Sequence, residues 1–258
     1  RRFEAPPRWT MAGHIQQNRG MKARALVLGL FVTCLAPAAI AQDRFATAGR
    51  FAVGVERAFG YASTTTKIET DLQPGNVNYE SDTTRTQFDF LARGTVKSPF
   101  VAPRVGFDYF VIDGLSIGGA LGYYSTEYDG DETRGNNKTD IVKEEDSGWL
   151  VAPRVGYCFM FTDMVGIWPR GGFTYASGKE ERSPPVGADQ KLEANVLDLT
   201  IEGMLVISPL PHAGFMVGPT LEFPLSGSGE LDQGNASQDL DDIKVTTLAL
   251  QAGVFAWF

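Results

Sequence analysis

Two arginines stand inside apolar runs of this chain, in two copies of the hexapeptide VAPRVG. The copies span Val101–Gly106 and Val151–Gly156, so Arg104 and Arg154 lie fifty residues apart. A guanidinium that leaves water must be paired and hydrogen-bonded, because an isolated buried charge is very costly. The repeat therefore predicts carboxylate partners for both arginines.

Few residues could support metal or nucleophilic chemistry. After residue 41 the chain has one histidine, His212, and one cysteine, Cys158. A zinc site needs several nitrogen or sulfur ligands, and a single cysteine forms no intrachain disulfide. We therefore expect no cofactor and no metal centre.

The start of the chain has the pattern of an export signal. In Met21–Ala41 a basic start is followed by an apolar stretch, Ala25–Leu35, and by the small-x-small site Ala39-Ile40-Ala41. This predicts a cleaved secretory signal peptide at 21–41, too short for a transmembrane helix, and a domain at 42–258. We expect residues 1–20 to lie outside the fold, as an over-extended reading frame or residues added for expression.

The rest of the chain alternates apolar residues with small or polar ones and shows no helical period. Eight strands are predicted, at 50–63, 101–111, 115–128, 147–161, 165–177, 192–207, 212–224 and 243–258. The connections alternate between tight turns, such as Ile112-Asp113-Gly114, and long polar segments. Short turns at one end and long loops at the other are typical of outer-membrane barrels. The sequence thus predicts an all-β, transmembrane, antiparallel up-and-down β-barrel.

The composition of the second strand face separates a membrane barrel from a soluble one. That face carries mostly glycine and alanine with isolated charges, which suits the crowded interior of an eight-stranded barrel. We predict that the lumen contains a charge network of Arg50, Glu56, Arg104, Asp108, Arg154, Arg170, Asp198, Glu202 and Glu222.

Two features depart from the alternation. Arg57 falls on the set of alternate positions that faces lipid, so it must lie near an interface, or a bulge must change the phase of its strand. Pro103, Pro153, Pro169 and Pro219 lie inside predicted strands, where we expect local irregularity.

The last residues, LALQAGVFAWF, alternate outward and end on an aromatic side chain. Leu250, Ala252, Val254, Ala256 and Phe258 resemble the C-terminal signal that the barrel-assembly machinery reads in bacterial outer-membrane proteins. Together with SGWLVAPRVGY, GIWPRGGFTYASG and VGPTLEFPLSGSG, the chain from about Arg50 resembles the small outer-membrane barrels of the OmpA-like family, without a peptidoglycan-binding domain. The resemblance implies a location in the bacterial outer membrane, with its lipid and lipopolysaccharide as partners.

Three functions are compatible with such a barrel. A non-catalytic structural, display or binding role is favoured. An outer-membrane enzyme, either lipid A-modifying or protease-like, would need a histidine at the outer rim, whereas His212 lies beside a predicted periplasmic turn. A narrow pore is disfavoured because eight strands leave a lumen just wide enough for side chains.

Charge gives two further expectations about partners. The net charge of −8 argues against nucleic acid, which requires a basic surface. The acidic segments Asp129–Asp140 and Gly229–Asp242 could hold divalent cations, but solvated loops are the favoured interpretation.

Overall fold

The computed structural model describes residues 44–72, 77–90, 100–128, 131–134, 137–140, 143–184, 188–234 and 236–258. They belong to one compact unit, Asp43–Phe258. The predicted signal peptide and the residues before it lie outside the described ranges, so these two assignments stay predictions.

The described chain is built from antiparallel strands. They are β1 Phe51–Leu72, β2 Val77–Phe90, β3 Arg104–Ile112, β4 Leu115–Tyr128, β5 Asp131–Arg134, β6 Asn137–Asp140, β7 Lys143–Tyr157, β8 Phe159–Met160, β9 Val165–Ser183, β10 Gln190–Leu210, β11 Ala213–Gln233, β12 Ala236–Leu240 and β13 Asp242–Trp257. Within the described ranges no helix is long and apolar enough to span a bilayer.

Eight of these strands close into a ring. Each strand in the order β1, β3, β4, β7, β9, β10, β11 and β13 pairs antiparallel with the next, and β13 pairs back onto β1. Phe51 and Phe258 complete the closure, since each backbone N–H donates to the other's carbonyl oxygen at 3.0 Å. The prediction of an all-β up-and-down barrel of eight strands is confirmed.

The barrel is apolar outside and charged inside. Along β7 the exposed and buried positions alternate, with Val155 50% exposed beside Arg154, which is 8% exposed. The same pattern of apolar side chains on the outer face holds around the ring, where Leu121, Ile201 and Leu250 are exposed. Such an apolar outer surface is stable only in contact with lipid, because its side chains then face hydrocarbon instead of water. The backbone N–H and C=O groups are hydrogen-bonded between strands, as a membrane-spanning sheet requires.

Several segments predicted as loops are strand extensions. The strand predicted to end at 177 continues to Ser183, and the one predicted to end at 224 continues to Gln233. The segment predicted as a long first connection contains β2, which pairs with the far half of β1. Beyond the lipid both faces of a strand meet water, so the apolar alternation that marks a strand in the sequence is lost there.

A bulge interrupts β1 at mid-height. Between Val55 and Phe59 the β1–β13 register advances four residues on β1 against two on β13. As a result Glu56, Arg57 and Ala58 are all buried, and Arg57 has a left-handed φ of 56°. The bulge therefore turns Arg57 into the lumen, which settles the parity problem that its sequence position raises.

β1 also changes its partner at this bulge. Below it β1 pairs with β3, and the last pair is Glu56 with Arg104. Above it β1 pairs with β2, and the first pair is Phe59 with Phe90. The bulge thus separates the half of β1 that pairs with β3 from the half that pairs with β2.

Three of the four predicted strand prolines lie within strands. Pro103 directly precedes β3, whereas Pro153, Pro169 and Pro219 are outward-facing strand residues. Pro153 lies opposite Gly119, and Pro169 lies opposite Gly203.

The short-turn end of the barrel is closed by the segment before β1. Phe45 is 2% exposed and packs against the rings of Phe110, Trp168, Phe255 and Trp257, with centroids 4.8–5.5 Å apart. Short turns face the periplasm in outer-membrane barrels, so this aromatic plug occupies the periplasmic mouth.

Candidate functional site

Glu56 is the centre of a charged layer in the lumen. Its carboxylate accepts hydrogen bonds from Arg104 Nε at 2.9 Å, from Arg154 Nη1 and Nη2 at 2.7 Å each, and from Arg170 Nη1 at 2.7 Å. The three arginines lie on β3, β7 and β9, so the cluster spans the lumen. One carboxylate therefore ties together the walls of the barrel, as a buried charge cluster requires.

Glu202 and Asp108 complete the pairing of these arginines. Glu202 on β10 contacts Arg104 Nη2 and lies 2.8 Å from Arg170 Nη2. Asp108 on β3 accepts from Arg154 Nη2 at 2.5 Å and from Nε at 3.1 Å. The two arginines of the hexapeptides thus share carboxylates from three strands.

Arg57 is the fourth arginine of the layer, and the sequence-based site set omits it. Its Nη2 donates to Glu222 Oε1 at 2.6 Å, and Glu202 Oε1 lies 3.9 Å away. Both members of the Arg57–Glu222 pair are buried. The signal that could have identified Arg57 was a charged residue, directly after Glu56, among the alternate positions of the strand that are otherwise apolar.

The glycine of each hexapeptide makes room for the arginine of another strand. A Cβ on Gly106 would lie 2.9 Å from Arg154 Nη2 and 2.5 Å from Glu56 Oε1. A Cβ on Gly156 would lie 2.8 Å from Arg170 Cγ. Pro169-Arg170-Gly171-Gly172 repeats the Pro-Arg-x-Gly spacing a third time, and a Cβ on Gly172 would lie 2.9 Å from Arg154 Cβ. The repeated motif therefore interlocks glycines and arginines of different strands.

The other two residues of the predicted network, Arg50 and Asp198, differ in their burial. Arg50 precedes β1 and is half-buried, and its carbonyl oxygen accepts from Phe110 N at 2.9 Å. Asp198 on β10 is fully buried, but neither of its oxygens has a hydrogen-bond partner among the described residues. Asp198 is therefore a lumen residue without an arginine.

A cavity of about 270 Å³ lies in the half of the lumen away from the aromatic plug. Its walls come from the upper parts of β1, β2, β4, β7, β9, β10 and β13. The apolar lining residues include Ile68, Phe100, Leu192, Val196, Ile243 and Val245. Polar groups, among them Tyr124, Asp146, Lys179 and Glu180, complete the wall. The cavity combines an apolar interior with a few polar groups, as small-molecule sites do.

A cluster of three acidic side chains lies at this cavity. Ligand oxygens of Glu144, Asp146 and Glu180 are within 4.8 Å of one another, which is compatible with a shared cation. These residues lie outside the two acidic segments considered from the sequence. In the second of those segments Glu230 accepts from the Ser237 hydroxyl at 2.6 Å.

The single histidine and the single cysteine of the chain after residue 41 lie at the opposite end. His212 is in the turn between β10 and β11, and its Nδ1 is 3.1 Å from the carbonyl oxygen of Trp257. Cys158 is buried between β7 and β8, with its sulfur 3.6 Å from that of Met160. Both therefore lie at the periplasmic end, away from the cavity.

The residues of the predicted assembly signal lie on β13 and at the chain end. Leu250, Val254 and Phe258 are exposed on the lipid side, and Ala252 and Ala256 share their parity with intermediate exposure. Their recognition by the assembly machinery stays a prediction.

No protein-family model matches the chain, and a comparison with curated proteins finds no match. Solved structures do match. The outer membrane protein AlkL, solved by solid-state NMR in lipid bilayers, aligns over 87% of this chain and 97% of its own, with a TM-score of 0.50 and 10% identity. The fold is that of a bacterial outer-membrane β-barrel. The outer-membrane location expected from the sequence agrees with it.

Two further structures align with lower scores. OprG from Pseudomonas aeruginosa covers 85% of this chain and 99% of its own at 13% identity, with a TM-score of 0.48. The outer membrane protease OmpT from Escherichia coli covers 84% and 98% at 9% identity, with a TM-score of 0.47. At these identities the likeness concerns the fold alone.

Proposed function

We propose that this protein is a non-catalytic outer-membrane barrel that binds small, mostly apolar molecules in a cavity open to the cell exterior. The observation that carries the proposal is the asymmetry of the lumen. A cavity of about 270 Å³ lies above the charged layer around Glu56, and the aromatic plug around Phe45 lies below it. A molecule entering from outside therefore meets a closed floor.

The lining sets the class of ligand. Apolar side chains such as Phe100, Val196 and Ile243 favour hydrocarbon or aromatic groups, since burying apolar surface supplies about 25 cal/mol per Å². The charged lining residues are two basic ones, Arg85 and Lys179, and two acidic ones, Asp146 and Glu180. A lining with both signs gives no general preference for anions or cations, so the ligand we propose is uncharged with a polar end.

Catalysis and conduction receive less support. His212, the single histidine after residue 41, lies at the periplasmic end, whereas the cavity lies at the other. Ions crossing the lumen would have to pass between Glu56 and the three arginines that it binds. Lipid and lipopolysaccharide around the barrel are its proposed structural partners, and Glu144, Asp146 and Glu180 are the acidic group at which we would look for a divalent cation.

The binding proposal is tested with N-phenyl-1-naphthylamine, a neutral aromatic probe that fluoresces in apolar surroundings. The barrel is placed in lipid nanodiscs, because detergent would compete for the cavity. We expect saturable fluorescence above that of empty discs. Ala194 lines the cavity, so Ala194→Trp should abolish the saturable component by filling the space.

Asn195→Trp provides the matched control. Asn195 is the next residue on β10 and is exposed on the outer face, so its substitution adds the same ring without entering the cavity. Saturable binding that survives Ala194→Trp, or that both variants lose equally, would contradict the proposal.

A further inference from the structure

The buried charges of the lumen do not balance. Between the aromatic plug and the cavity the described residues include four buried arginines, Arg57, Arg104, Arg154 and Arg170. The buried carboxylates of the same region number five, Glu56, Asp108, Asp198, Glu202 and Glu222. Four of the carboxylates accept from an arginine, so the carboxyl group in excess is Asp198.

Asp198 has two hydroxyl-bearing side chains next to it. It is fully buried, and among the described residues nothing donates to either carboxylate oxygen. Thr174 lies directly opposite on β9, and Thr200 is the next residue on the same face of β10. The hydroxyl groups of these two threonines are 2.7 Å apart and bonded to each other. Residues directly opposite across a ladder have Cβ atoms about 5 Å apart, which is within reach of a shared ligand.

Glu222 brings a second carboxylate to the same patch. It lies opposite Thr200 on β11 and so is diagonal to Asp198. Arg57 binds its Oε1, but its Oε2 has no partner among the described residues. Two carboxylates that approach each other in a buried site are stabilised either by a proton on one of them or by a further cation.

We propose that Asp198 holds a monovalent metal cation, Na⁺ or K⁺, with Glu222 Oε2 and the hydroxyl oxygens of Thr174 and Thr200 as further ligands. All of these donors are oxygens, which hard cations prefer. One excess carboxylate calls for a single positive charge, so a divalent ion would leave the layer positive. The site lies one step below Val196 and Ala176, which line the cavity, so the cavity is the side from which we propose that the ion enters.

The test compares unfolding of the intact barrel by urea in NaCl, KCl and choline chloride at equal ionic strength. Choline matches the charge but is too large for the site. We expect a higher unfolding midpoint in NaCl or KCl than in choline chloride for the wild-type barrel. The difference should disappear in Asp198→Asn, which keeps the shape and removes the charge, and should shrink in Thr174→Val.

Asp242→Asn is the control, because this carboxylate is partly exposed and paired with Lys244 at 2.5 Å. It should keep the wild-type difference between the salts. ²³Na line broadening by the folded barrel, lost in Asp198→Asn, would report the ion directly even where that variant changes stability.

Two results would overturn the proposal that Asp198 binds a cation. Equal midpoints in the three salts for the wild-type barrel, with no sodium broadening, would mean that a proton or water satisfies Asp198. A salt-specific difference that persists in Asp198→Asn would place the ion elsewhere. Neither result bears on probe binding in the cavity, so this inference and the proposed function fail separately.

Discussion

Arg154 and Glu56 face each other across the lumen, with both terminal nitrogens of the arginine 2.7 Å from the two carboxylate oxygens. Their strands, β7 and β1, are separated in the ring by β3 and β4. The pair therefore connects opposite parts of the wall, which backbone hydrogen bonds between neighbouring strands cannot do.

Truncating Arg154 should destabilise the barrel. The Arg154→Ala substitution leaves Asp108 without its main partner, and breaking a buried pair costs about 3–5 kcal/mol. The measurement is the urea unfolding midpoint in micelles. Arg182→Ala is the control, since that side chain is 49% exposed, and it should change stability by about 0.5 kcal/mol or less.

The choice of rescuing carboxylate distinguishes the network from simple loss of packing. Asp108→Asn should restore part of the stability lost in Arg154→Ala, because Asp108 has Arg154 as its close partner. Glu56→Gln should not, since Glu56 also binds Arg104 and Arg170. An unchanged midpoint for Arg154→Ala would show that the lumen charges contribute nothing to stability.

The sequence predicted the barrel well because lipid imposes a strict alternation on every crossing strand. It could place Arg104 and Arg154 on the lumen face from parity alone. Parity fails at a bulge, so Arg57 was assigned to the lipid side unless one occurred. Phe45 and the cavity had no periodic signal at all, since a single aromatic residue before the first strand says nothing about where it packs.

A methyl group at Gly106 should disturb the charged layer. The Gly106→Ala substitution puts a Cβ within 2.5 Å of Glu56 Oε1, and the bonds of Glu56 to three arginines prevent it from moving away. Overpacking of this kind costs about 1–3 kcal/mol. Gly60→Ala on β1 is the matched control, as the nearest atom to its Cβ would be 3.6 Å away. Equal unfolding midpoints for the two variants would contradict the interlocking of glycine and arginine.

Phe258 should have two separable roles. Its backbone closes the barrel through two hydrogen bonds to Phe51, whereas its side chain is the aromatic end of the predicted assembly signal. Phe258→Ala keeps the backbone bonds, so a purified, refolded variant should unfold near the wild-type midpoint while insertion in cells falls. Deletion of Phe258 should lower both. Normal insertion of the alanine variant, measured by membrane fractionation and protease sensitivity, would show that the assembly machinery does not read this side chain.

Removing the aromatic plug should weaken the barrel without opening a channel. Phe45→Ala deletes a ring packed against four others, and truncating a buried phenylalanine costs about 3–5 kcal/mol. The unfolding midpoint should therefore fall, whereas Phe88→Ala, at a side chain 69% exposed on β2, should leave it nearly unchanged.

Planar-bilayer recordings decide whether the charged layer is itself a barrier. The plug and the layer lie in series, so an ion that passes the shortened side chain at position 45 still meets Glu56 bound to Arg104, Arg154 and Arg170. Wild-type protein and Phe45→Ala should therefore both lack large, long-lived conductance, because eight strands leave a lumen that side chains fill. A stable porin-sized current in Phe45→Ala alone would make the plug the only barrier, and the ion pairs would then have to separate readily in the membrane.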